Sequence, residues 1–216
     1  MPRRRSTGAV AEWTPTERRR LRALRSPADI QALLDRIPYS TEPVYRCPRS
    51  VLRDGRAHCF DAAVLAAAAL ERLGHPARLV DLRAVRDDDH VLALFRRGDR
   101  YGAVAKSNFS GLRFREPIFR SLRELALSYF EDYFNEHGEK TLRGYSGPVS
   151  LRPFERLSWR TEDAAMDAIA RRLDAVPHYP LLRRGAAAHL QPVDRRSLAA
   201  GMLGVDRRGL HRPRGR

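Results

Sequence analysis

The longest apolar stretch of the chain runs from Ala62 to Leu70, nine residues without a polar side chain. Ala and Leu dominate it, and both are strong helix formers. A helix that is apolar on nearly every face is buried inside a domain, and this one is too short to cross a bilayer. Gly74 and Pro76 supply its stop signal. After them the period changes. Ala77–Arg83 alternates as a strand does, Asp87–Asp89 reads as an acidic turn, and His90–Phe95 is a second strand. Arg96–Arg100, which contains Gly98, is a hairpin turn, and Tyr101–Lys106 is a third strand. Strands joined by so short a turn are antiparallel neighbours. With the turn centred on Gly98, position 90 lies near positions 106–108. A buried helix followed by such a meander predicts an α+β fold with helices on a sheet face.

The flanks follow the same logic. Thr14-Pro15-Thr16-Glu17 opens a helix with a capping box and carries it to about Leu24. Ser26-Pro27 opens another, with Ile30, Leu33, Leu34 and Ile37 at helical spacing. Residues 39–53 read as irregular around Pro43 and Pro48, with Cys47 structural, and 107–115 read as a loop. Leu122, Leu125, Ala126, Tyr129, Phe130, Tyr133 and Phe134 predict one amphipathic helix closing near Gly138. Its aromatic stripe is expected in the core. One more strand is expected within 142–151, and a helix starting at Thr161-Glu162-Asp163. The expected organisation is a disordered basic tail over 1–12, the α+β body over 13–182, and a partly disordered basic extension over 183–216 with a short helix at 195–202.

Charge changes this picture only at the ends. The net charge is +15 and Arg outnumbers Lys 39 to 2. Eight Arg against two Glu in 1–25, and nine Arg against two Asp in 183–216, leave 26–182 at only +2. The tails suit non-specific contact with phosphates, which makes nucleic acid a candidate partner of the tails rather than of the body. With two cysteines there is no disulfide framework. No apolar leader or membrane span is read in the sequence, so a cytoplasmic, bacterial protein is expected. No cofactor motif and no metal-ligand spacing is found: His58, Cys59, His75 and Asp87–Asp89 fit no zinc pattern, and the glycines form no phosphate loop.

The candidate chemistry begins at Cys59, in the first turn of the central helix. Free N–H groups and the helix dipole favour a thiolate there. A nucleophilic thiol needs a base and a group that holds the base's ring. His90 starts the second strand, and Asn108 lies at the exit of the third. The alternative roles are ordinary ones: a small buried thiol, a solvated histidine and a turn residue.

In Gly55-x-x-x-Cys59 before an Ala-rich helix, Leu73-Gly74-His75-Pro76-Ala77-Arg78 leading into a strand, and His90-Val91 opening the next, the chain resembles the transglutaminase-like superfamily of papain-like cysteine enzymes. The resemblance implies a buried Cys-bearing helix packed on an antiparallel sheet with flanking helices, Cys59 as nucleophile and His90 as base. The chain departs from the family at the third member. Tyr101 stands where Trp is usual, and Ala105-Lys106-Ser107-Asn108 replaces the Asp-Pro. Asn108 is the first choice for that role and Ser107 the second. The resemblance implies a thiol hydrolase or acyltransferase acting on a peptide or other amide or acyl substrate; beside the Cys59 N–H, the upstream polar residues Gln31 and Tyr45 are candidates for a second oxyanion donor that no motif marks. The alternative is an inactive binding module on the same fold, whose basic tails recruit a protein or nucleic acid.

Overall fold

A computed structural model of the chain describes residues 13–211. The expected 1–12 tail and the last five residues lie outside that range. The order of elements is α1 (Pro15–Arg22), α2 (Pro27–Arg36), α3 (Pro48–Asp54), α4 (Cys59–Arg72), β1 (Arg78–Ala84), β2 (His90–Arg97), β3 (Arg100–Val104), β4 (Arg115–Phe119), α5 (Leu122–Leu127), β5 (Leu142–Ser146), β6 (Val149–Ser150), α6 (Met166–Ala175), β7 (His178–Pro180) and α7 (Arg195–Gly201). One antiparallel sheet runs β4-β3-β2-β1-β5-β7, with β6 also paired to β1. This is the expected α+β architecture.

The sheet is buried on both faces, and its strands show it by period. Leu79, Val91, Ala93 and Phe95 point into one apolar layer with α1, α2, α3, α4 and α6. Val80, Leu82, Leu92 and Leu94 point into a second. Every residue from Phe60 to Leu70 is buried. The small Ala side chains let α4 lie close against β2. The hairpin has the expected register: Ala93 faces Val104 and Arg97 faces Arg100. Continued to the strand ends, that register sets position 90 opposite 107. Gly98 takes the left-handed conformation the tight turn requires, at φ 59°. Both edge strands carry a proline, Pro117 in β4 and Pro180 in β7.

Three expectations are corrected. Residues 39–53 are not irregular throughout, because Pro48 opens α3 at its first position, where a missing N–H costs nothing. Cys47 is the N-cap residue, and its N–H donates to Asp163 Oδ1 at 2.7 Å. The aromatic segment is helical only to Leu127. The Ser128 hydroxyl then donates to the Leu125 carbonyl, and the chain turns. Tyr129, Tyr133 and Phe134 are nonetheless fully buried, in the second layer. The two tyrosine hydroxyls accompany the turn: Tyr129 donates to the Arg113 carbonyl and Tyr133 to that of Asp88.

Residues 183–211, expected as a peripheral and partly disordered extension, instead return along the second layer. α7 forms at the expected place, capped by Asp194. Val193, Leu198, Met202, Val205 and Leu210 pack on that layer. Ser110 binds the return segment twice, its N–H donating to the Gly201 carbonyl and its hydroxyl to that of Ala200. Gly201 lies so close to Phe134 that a Cβ would sit 2.3 Å from the ring.

Candidate functional site

The helix α4 starts on a histidine cap. His58 Nδ1 accepts from the Phe60 N–H at 3.1 Å, and Asp61 reaches back to the His58 N–H. Imidazole thus does what Ser or Thr does in a capping box. Because Nδ1 accepts, the ring proton sits on Nε2, and burial holds the His58 pKa down at about 4. Asp61 is fully buried and also accepts from the Arg46 N–H at 2.8 Å. Burial raises its pKa to about 7.

Cys59 is the first residue of the helix, as expected, with its thiol half-buried. The thiol donates to the Asp89 carbonyl at 3.8 Å, which sets it against the start of β2. The expectation of a favoured thiolate is not met in this arrangement. Desolvation raises the thiol to about 12, outweighing the N–H groups of Val91 and Phe60 that oppose it, and Asp88 and Asp61 add to the rise.

His90 is buried, edge-on to Tyr129 and Tyr133. Its Nε2 lies 3.1 Å from the Leu112 carbonyl. A carbonyl only accepts, so Nε2 carries the proton and Nδ1 is the free lone pair. Burial holds its pKa down at about 4, so the ring is neutral. Cys59 and His90 line one cavity of about 40 Å³ together with Tyr39, Ser107 and Asn108. It is large enough for one or two waters and no larger group. Thiol and imidazole share this cavity without a hydrogen bond between them.

The expected Asn108–His90 contact is not made, for a definite reason. The Asn108 amide is used on both sides by one residue of the return segment. Nδ2 donates to the Asp206 carbonyl and Oδ1 accepts from the Asp206 N–H, each at 2.9 Å. Asn108 was expected to accept from His90 Nδ1; the carbonyl that the imidazole meets is instead that of Leu112, from the loop that follows, and it lies at Nε2. Ser107 Oγ, the second choice, accepts from the Phe109 N–H. Gln31 is tied elsewhere, accepting from the Ala105 N–H and donating to Asp35. The adjoining Lys106 is buried and donates to the carbonyls of Leu34 and Ile37, capping α2 from outside.

Cys59 also forms part of a wider cleft of about 630 Å³, whose wall includes Tyr39, Tyr45, Glu42, Asp81, Asp87, Asp88, Asp89 and Asp174. The cleft is acidic although the chain is basic. One wall holds a pair that the sequence did not point to: His178 Nε2 meets Asp81 Oδ2 at 2.7 Å, and burial raises Asp81 to about 6. Tyr39 was also missed. It is joined to Ala57 by a single bridge just ahead of α4, and it lines both cavities with Cys59. Burial, with the Cys59 sulfur next, holds its hydroxyl pKa well above the usual value, so it remains a donor. Among the described residues, no group of three or more His, Cys, Asp or Glu is arranged to hold a metal ion. No helix among them is long and apolar enough to cross a membrane.

The site thus joins a thiol at the head of a buried helix to a histidine that opens a strand of the antiparallel sheet. Residues 11–106 match the family model of the transglutaminase-like superfamily. The match contains both Cys59 and His90, and it stops short of Asn108 and Leu112. No curated protein matches the chain.

Proposed function

We propose that the protein is a cysteine-dependent hydrolase or acyltransferase acting on amide or acyl groups through Cys59 and His90. The observation that carries this reading is the shared cavity: a thiol at a helix start and a neutral imidazole whose only unprotonated nitrogen is Nδ1. In the reaction the thiol proton passes to His90 Nδ1 as sulfur bonds to the acyl carbon. The same proton then leaves on the departing amine as the C–N bond breaks, giving a thioester. Water or a second amine attacks the thioester, His90 takes a proton from it, and the thiol is restored. The Leu112 carbonyl is the positioning group, holding the Nε2–H tautomer and stabilising the imidazolium as it forms. The Cys59 N–H, which has no acceptor within the helix, and the Tyr39 hydroxyl are the oxyanion donors.

The raised thiol and lowered imidazole mean that the resting pair is neutral, so His90 acts as a base on a thiol rather than beside a preformed thiolate. The test is acylation by p-nitrophenyl acetate. An acetyl adduct should form at Cys59, be absent in Cys59→Ala, and form roughly 100-fold more slowly in His90→Gln, which keeps the N–H to Leu112 and loses the base. Equal rates in wild type and His90→Gln would overturn the reading in favour of an inactive binding module, the role suggested by the missing thiol–imidazole hydrogen bond.

A further inference from the structure

The return segment does more than cover the second layer. Its last described residues, 204–211, cross the mouth of the site. Gly209 packs on Tyr39, where a Cβ would come 3.2 Å from the ring, 2.8 Å from Thr41 and 3.3 Å from Asn108. His211 Nδ1 meets Asp88 Oδ1 at 2.9 Å. Arg208, Gly209 and Leu210 form part of the wider cleft, and Gly209 and His211 close the small cavity over Cys59 and His90.

The contact that gives this crossing chemical meaning is the one between Asn108 and Asp206. A side-chain amide that donates to a backbone carbonyl and accepts from the N–H of the same residue reproduces the two-bond pairing of adjacent β-strands. It recognises a polypeptide by its main chain, whatever the side chain. Asn108 lines the Cys59 cavity and also a second cavity, lined by Tyr39 and Asp206 as well, and what it holds is the N–H and the carbonyl of one backbone residue.

We propose that Asn108 is a substrate-positioning residue that reads the main chain of an extended polypeptide, and that residues 204–211 occupy its place in cis and hold the site closed. This rests on the cysteine-enzyme reading and names its substrate class and its regulation. The substrate is a peptide segment that displaces the return segment from Asn108, and the acidic wall of the cleft favours a basic one. Beneath this cover His90 is buried and Cys59 half-buried.

Two variants of the full chain loosen the cover without touching Cys59, His90 or Asn108. Asp206→Pro removes the N–H that donates to Asn108, at a residue whose φ of −78° proline accepts. Gly209→Leu drives the segment off Tyr39 and Thr41. Iodoacetamide modification, read at Cys59 by peptide mapping, should be roughly tenfold faster in both variants than in wild type. A synthetic peptide of residues 204–216, GVDRRGLHRPRGR, should bind the Cys59→Ala, Asp206→Pro protein and slow alkylation of Asp206→Pro. The same peptide with the Asp206 nitrogen methylated should bind about tenfold more weakly, because its N–H is gone. Unchanged alkylation in both variants would overturn the proposal. So would equal binding of the methylated peptide, which would reduce the contact to charge attraction. The binding arm uses a protein that has no nucleophile. Peptide binding without acylation would therefore sink the enzyme reading alone, whereas His90-dependent acylation without peptide binding would sink only the present one.

Discussion

His90 Nε2 and the Leu112 carbonyl, 22 residues apart and 3.1 Å from one another, fix which imidazole nitrogen can act as a base. The burial of His90, which that hydrogen bond only partly offsets, couples stability to pH. Burial holds His90 at about 4 in the folded chain against 6.5 as its ordinary value. Between those values the unfolded chain binds a proton that the folded chain refuses, so stability is lost as pH falls from 6.5 toward 4, by roughly 3 kcal/mol at most. His58 acts in the same direction. Asp61 and Asp81, whose values are raised, act in the opposite one, losing stability as pH rises toward 7 and 6 respectively. The wild-type curve alone therefore understates the effect. The difference between wild type and His90→Gln isolates it: urea unfolding across this range should show the stability advantage of wild type shrinking as the pH is lowered.

Tyr39→Phe separates a hydroxyl from a ring. The ring contact with Gly209 is retained, so the urea midpoint should move little. Acylation of Cys59 should slow by roughly 10- to 100-fold if the hydroxyl is an oxyanion donor. Loss of stability with no change in acylation rate would reassign Tyr39 to packing.

Lys106→Met tests the cap on α2. Methionine fills the channel but removes the donor to the Ile37 carbonyl and leaves the Leu34 carbonyl only the Ile37 N–H. The expected cost is about 2 kcal/mol in urea unfolding. A change below about 0.5 kcal/mol would show that water serves those carbonyls as well.

Gly102→Ala tests the close approach of β3 and β4. An added Cβ would lie 2.6 Å from the Phe95 ring and 2.9 Å from the Arg115 carbonyl. Overpacking of this kind costs about 1–3 kcal/mol, read as a lowered midpoint of thermal unfolding. A neutral outcome would mean that the edge strand moves freely away.

The elements that carry Cys59 and His90 were legible because each rests on local pattern. An uninterrupted apolar run makes a buried helix, and alternation about a glycine turn sets a hairpin and its register to within a residue. What failed was decided at a distance. Pro48 signals a break and a helix start alike, and only the pairing of Cys47 with Asp163, 116 residues on, shows which it is. The helix expected to reach Gly138 stops at Leu127, and Tyr129 and Tyr133 beyond it have carbonyl partners that no periodicity reveals. Asn108 was placed correctly along the strand register and still assigned the wrong neighbour. Its partner is Asp206, 98 residues later, and the group beside the imidazole is a backbone carbonyl, which every residue type carries and no motif can mark.

The prolines at the two rims of the sheet have a consequence for how another chain can be received. Pro117 and Pro180 each remove an N–H from the outermost strands, so neither border offers an unbroken ladder onto which a visiting segment could be stitched. A fold that refuses guests at its margins must greet them at its mouth, and there one asparagine provides the paired donor and acceptor that the borders withhold.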